Sequence, residues 1–170
     1  MHFKSPTSAP IHCERARKND YSLRLPEGWK TTMELIDQQW VGKDLFACKG
    51  VLVVQLKTWW YPPQPPGPNS KSTPAVASYF FSRLFLWMPR RMWAFDFQCP
   101  VCKPPSSLTS KGLYNRVRSV VDLATKYYLA AEYLECRNCK GTFISYDSRL
   151  LEQLPLDLRS RFPIVLTRNF

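Results

Sequence analysis

The chain has 170 residues, 45% of them hydrophobic and 14% aromatic, with a formal net charge of +11. That length makes one domain with a small subdomain the starting expectation, and the composition excludes a wholly disordered chain. The most apolar stretch, 75–88, is too short for a bilayer span and is interrupted by Arg83, so a membrane helix is excluded as well.

Residues 1–25, rich in Ser, Pro, Lys and Arg without periodicity, read as a disordered basic arm. Their start lacks the apolar core of a secretory leader, and Glu14–Lys18 is a short basic run that offers a weak nuclear-import signal beside its plainer reading as a solvated tail. An intracellular location, with the nucleus as an option, follows from these features. A folded N-terminal portion is expected over 26–61. Thr31 followed by Glu34 fits a capping box, which predicts a helix from Thr32 to Val41 with Gly42 as its stop. The β-branched run Gly50–Lys57 predicts a strand buried on both faces.

Five prolines among residues 62–68 exclude helix and ladder pairing and favour polyproline II, so 62–78 reads as a stiff linker, or else as a ligand for a proline-binding domain. Residues 79–170 then form the cysteine-bearing domain. Helix and strand are equally open for Arg83–Trp87, and Pro89 interrupts either. The alternation of Trp93, Phe95 and Phe97 predicts a strand leading to Cys99. Leu113–Leu123 alternates with Leu113, Val117 and Val121 on one side and Tyr114, Arg116 and Arg118 on the other, a half-buried strand. Tyr127–Glu135 and Thr142–Tyr146 predict two more. Asp147 caps a short helix that ends before Pro155, and 156 onward begins as helix. The expected class is α+β: a small antiparallel sheet carrying a zinc ribbon, with a few short helices and the proline-rich linker.

The strongest motif is Cys99-Pro-Val-Cys102 with Cys136-Arg-Asn-Cys139, two Cys-x-x-Cys pairs separated by 33 residues. A pair at this spacing sits on one tight turn, and two such turns close a four-sulfur site typical of structural Zn²⁺. Rubredoxin-type iron and redox dithiols are the other options, but a redox pair usually opens a helix. Four thiolates on Zn²⁺ leave a formal −2 that Lys103, Arg137 and Lys140 would offset. Pro100 presets the first turn, and Gly141 leaves room for amides to turn toward sulfur. Cys13 and Cys48 have no near partner, and a reducing compartment suits such unpaired thiols. The only histidines are His2 and His12, both in the arm, so a Ser–His or Cys–His catalytic pair would have to recruit that arm. The acids Asp96, Asp122, Glu132 and Glu135 show no convergent spacing for a catalytic metal, and no Gly-rich phosphate loop occurs. The site therefore reads as structural.

Residues from about Trp29 to Thr167 resemble an uncharacterised family, domain of unknown function 6729, found in animal proteins of transposon-like character. The resemblance is carried by Trp59–Pro63, Leu84–Trp93, Cys99–Cys102, Leu108–Gly112, the stretch from Tyr127 to Cys139, and Phe162–Thr167. It implies no established activity. It also implies a truncated or divergently ended chain, since members continue beyond the position of Arg168. A wider similarity links Arg116–Leu123 to the zinc ribbons that precede some transposase catalytic domains, which implies nucleic-acid handling. On this reading Lys111, Arg116, Arg118, Arg137 and Lys140, with Arg90 and Arg91, form a phosphate-neutralising set around a Zn²⁺ ribbon. The alternative is a protein-interaction or purely structural module using the aromatics near Trp87 and Trp93 or the proline run. Those aromatics also fit a plain core.

Overall fold

The computed structural model describes residues 21–47, 50–61, 83–121 and 126–162. The linker region 62–82, both histidines, Cys13, Cys48, Asp122, Leu123 and the segment 163–170 lie outside them. Among the described residues the order is a 3₁₀ turn (Tyr21–Arg24), α1 (Glu27–Lys30), α2 (Leu35–Leu45), β1 (Trp60–Tyr61), β2 (Arg83–Trp87) and α3 (Pro89–Trp93). Then follow β3 (Leu108–Leu113), β4 (Arg118–Val121), β5 (Lys126–Cys136), β6 (Thr142–Ile144), α4 (Ser148–Leu151) and α5 (Leu156–Arg159). The class is α+β, as the sequence predicts.

Everything is built on β5. Its first half pairs with β2 and β4: Tyr128 meets Leu84 on one edge and Ser119 on the other. Its second half pairs with β3 and β6, Leu134 meeting Ser110 and Phe143. Leu-Ala-Ala-Glu-Tyr-Leu is rich in helix formers, yet here it is a central strand, because both edges and both faces are occupied. Leu129, Ala130, Ala131 and Leu134 are all fully buried. The small alanines sit opposite Leu86 and Trp87 of β2. The β2–β5 pair is parallel, which departs from the all-antiparallel expectation; a parallel neighbour requires a long crossover, and α3, the first cysteine turn, β3 and β4 all lie within it.

The single strand expected over Leu113–Leu123 is broken: Leu113 ends β3 and β4 starts at Arg118, both on the same edge of β5. Between them 114–117 loops out while Tyr114 N still donates to Ala131 O at 2.9 Å. The bulge shifts the register, so Val117 and Val120 are buried and Val121 faces out. The bulge receives α1. Trp29, fully buried, donates through Nε1 to Tyr114 O at 2.6 Å. A Cβ on Gly28 would lie 2.2 Å from Asn115 O, so only glycine permits this approach.

Five other expectations are corrected. Thr31 ends α1 instead of capping α2: its hydroxyl donates to Gly28 O, and the N-cap is Glu34 without a side-chain cap bond. Gly42 lies inside α2, where a Cβ would come within 2.8 Å of the Tyr21 backbone. Tyr21–Arg24, placed in the arm by composition, pack there as a turn with Ser22 buried. The 50–57 run makes one isolated bridge, Phe46 to Leu52, and leaves Val51 and Val54 exposed. The approach to Cys99 alternates in burial as predicted but pairs with no strand among the described residues, since Trp93 ends α3 and Ala94 is left-handed at φ 53°. Arg83–Trp87 is a strand.

The core draws on both sides of the proline-rich stretch. Trp29, Val41, Leu45 and Leu56 join Trp87, Met88, Phe97, Leu129 and Leu134 in one cluster. Trp60 stacks on Phe85 at 4.4 Å and meets Tyr127 edge-on at 5.0 Å. Trp87 touches Trp93 and Phe162. The aromatics around Trp87 are therefore core.

Candidate metal centre

The two cysteine turns are local copies of each other. In the first, Lys103 N donates to Cys99 O at 2.9 Å; in the second, Lys140 N donates to Cys136 O at 3.0 Å. Each turn closes on a lysine in the left-handed region, φ 57° at Lys103 and 58° at Lys140. Cys99 and Cys136, at the turn starts, are buried, and Cys102 and Cys139 face outward. β5 delivers Cys136, and the extended 94–98 segment delivers Cys99. Ser107 ties the turns together: its hydroxyl accepts from Cys99 N at 3.2 Å and its carbonyl from Arg137 N at 3.0 Å. The Gln98–Gln153 pair, bonded reciprocally, sets α4 beside the first turn.

The sulfurs converge. Cys99 Sγ lies 3.6 Å from Cys139 Sγ, Cys102 Sγ lies 3.4 Å from Cys136 Sγ, and all four fall within 4.8 Å of one another. A tetrahedral ion with metal–sulfur bonds of about 2.3 Å sets its sulfurs about 3.8 Å apart. The four cysteines are close enough together to hold a metal ion. Backbone N–H groups also point at them, Val101 N at 3.4 Å from Cys99 Sγ. Gly141 leaves the room expected of it, since a Cβ there would stand 3.3 Å from Cys139 Sγ and 3.2 Å from the Phe143 ring.

As thiols the four divide into two pairs. Desolvation disfavours the charged forms of Cys99 and Cys136, but backbone N–H bonds in each turn and the facing thiols outweigh it. Both are lowered, Cys136 to about 6. Desolvation and the neighbouring sulfurs push Cys102 up to about 12. At Cys139 the Gly141 N–H pulls downward, but desolvation and the Cys99 and Cys136 thiols win and raise it. Among the described residues no other group of His, Cys, Asp or Glu side chains gathers in this way.

The basic residues separate. Lys111 pairs with Glu135 at 2.6 Å, and that contact first of all holds the Glu135 carboxyl below its usual range, with Lys140 contributing. Arg137 and Lys140 are exposed on the second turn, and Arg116 is exposed on the bulge. Arg118 and Arg90 are half-buried, Arg90 donating to Leu108 O. Arg91 has to be removed from any phosphate-contacting set. It is buried, donates through Nε to Glu132 Oε2 at 2.9 Å, and also bonds Val53 O. Glu132 is fully buried and takes Ser110 Oγ at 2.7 Å on the same oxygen. Neither Ser107 nor this ion pair was legible in the sequence, because both depend on contacts distant along the chain. Among the described residues no helix is long and apolar enough to cross a membrane.

No curated protein and no solved structure matches the chain. Residues 29–170 match a family model described as Domain of unknown function (DUF6729), and the chain belongs to that family.

Proposed function

We propose that the chain is a non-catalytic module in which a Zn²⁺ ion on Cys99, Cys102, Cys136 and Cys139 fixes a basic surface for nucleic acid. The observation that carries this is the geometry of the turns: four sulfurs within 4.8 Å, with exposed Lys103, Arg137 and Lys140 on the same two loops. Zinc suits four thiolates and a closed site. The formal −2 of such a centre is offset by those cations. Phosphate contact falls to Arg137, Lys140 and Lys111, with Arg116 further along the sheet; such contacts give affinity and position without base specificity. The mobile-element setting and a nuclear location rest on the sequence resemblance and the basic arm.

The test is binding of the zinc-loaded chain to duplex DNA over a range of salt. About four phosphate contacts give a slope of log affinity against log salt of about −3 to −4. Arg137→Glu with Lys140→Glu is expected to flatten that slope while metal content stays the same. Absence of binding at low salt overturns the nucleic-acid reading and leaves a protein-interaction module, for which Val101, 62% exposed at the first turn, is the apolar contact.

A further inference from the structure

Away from the cysteines, an open cleft of about 520 Å³ lies between the Leu52–Gln55 segment, the α3 end with its following residues, and β3. That size falls among small-ligand sites, about 300–1,000 Å³. Its walls are tied by one buried polar network. Glu132 holds Arg91 and Ser110, Arg91 bonds Val53 O, and Leu56 N donates to Arg91 O at 2.9 Å. Arg91 and Ser110 both line the cleft. The second oxygen of the same carboxylate, Glu132 Oε1, is buried with no hydrogen-bond partner, so the network behind the wall has an open acceptor.

The lining then divides by chemistry. Arg90 is pinned by one bond to Leu108 O and has no carboxylate within ion-pair distance among the described residues. Its remaining N–H groups form the planar fork that suits a phosphate. Ser110 donates its hydroxyl proton to Glu132 and Thr109 donates its own to Glu135 O, so both present lone pairs to a ligand. Asp96 is exposed and, among the described residues, accepts only a 3.4 Å bond from Ser106. Gln55 can donate or accept, and Val54 supplies an apolar flank.

From these features we propose that the cleft is a second, metal-independent site for a small phosphate-bearing molecule of nucleotide type. The phosphate sits on Arg90, sugar or base donors on Asp96, Ser110 and Thr109, and the ring against Val54. A free nucleotide and the terminal nucleotide of a strand offer the same chemistry. The proposal stands whether or not the basic turns bind DNA.

The test is calorimetric titration of the full metal-loaded chain with AMP, adenosine and a 5′-phosphorylated single-stranded oligothymidylate. AMP is expected to bind about tenfold more tightly than adenosine, and Arg90→Gln to weaken AMP by about tenfold or more. Because Arg90 also anchors Leu108, a second variant is needed. Val54→Glu, at a residue 89% exposed, brings an anion to the mouth without touching the core, and AMP is expected to weaken about fivefold. If the oligonucleotide weakens in parallel, the site seats a strand end; if it does not, the ligand is the free nucleotide. Equal affinity for AMP and adenosine, or AMP binding unchanged in both variants, overturns the proposal.

Discussion

The first half of β5 is held between apolar neighbours, and the second half runs out to the cysteine turns. Along Tyr127–Ala131 the strand has β2 on one edge and β4 on the other. Its residues pack with Phe85, Trp87 and Leu84, each side chain being worth about 1.5–3 kcal/mol when fully buried. Along Glu132–Cys136 the neighbours are the bulged β3 and the three-residue β6. Only Leu134, Cys136, Leu108 and Phe143 are buried apolar groups there, with Glu132 as a buried acid. Tyr133 and Glu135 remain half-exposed. One strand thus passes from a region rich in buried apolar side chains to one with few of them, beside the cysteine cluster. At the crossing stand Glu132 and Ser145, the latter donating to Trp87 O at 2.6 Å and linking β2 to the strand's second half.

Metal removal separates the halves most strongly. Structural zinc binding is worth on the order of 10 kcal/mol. Chelation should therefore raise amide hydrogen exchange chiefly over Ser107–Ser110 and Arg137–Ile144, and much less over Leu84–Trp87 and Tyr127–Leu129. Uniform loss of protection would mean that the halves unfold as one unit.

The junction is next in size. Glu132→Gln leaves Arg91 buried against a neutral partner, and breaking such a pair typically costs about 3–5 kcal/mol. Exchanging both residues, Glu132→Leu with Arg91→Met, is expected to cost far less, as apolar replacements of a buried pair often do. Denaturant midpoints for the single and double variants give the comparison. Equal losses would show that Arg91 acts through its bond to Val53 O and not through the carboxylate.

The smallest effect lies at α4, beside the first turn. Asp147 caps that helix by accepting from Arg149 N at 3.0 Å, and Asp147→Ala is expected to cost about 1 kcal/mol. The Arg149 side-chain bond, above all, holds the Asp147 carboxyl below its usual range. A lowered carboxyl contributes stability that is present above its unfolded pKa of about 3.9 and fades as pH falls through its folded value. The gap between the two proteins in thermal midpoint should therefore narrow below about pH 4. A gap that widens in acid would contradict the cap.

The parts legible in the sequence are those whose chemistry is local. The paired cysteine spacing, the Asp147 cap and the apolar content of Tyr127–Glu135 each act over a few residues, and all reappear in the structure. What was not legible depends on contacts distant along the chain. Val51 and Val54 look like a buried strand, but among the described residues that run makes only the isolated Leu52 bridge, and only Leu56 among 51–57 becomes buried. Thr31 and Glu34 fit a capping box, yet α1 is already using Thr31 to close its own end. The loop between β3 and β4 is fixed by Gly28 and by Trp29, which bonds Tyr114 O across 85 positions, where no local turn signal could show it. Arg91 reads as a surface cation until Glu132, forty-one positions away, is seen beside it.

Native mass spectrometry of the purified chain, beside Cys99→Ser and Cys136→Ser, bears most directly on the central claim of one metal shared by both turns. One zinc per chain in the parent and none in either variant is the expected result. Metal kept by a single-turn variant, another ion in the parent, or a mass lower by a disulfide would contradict it.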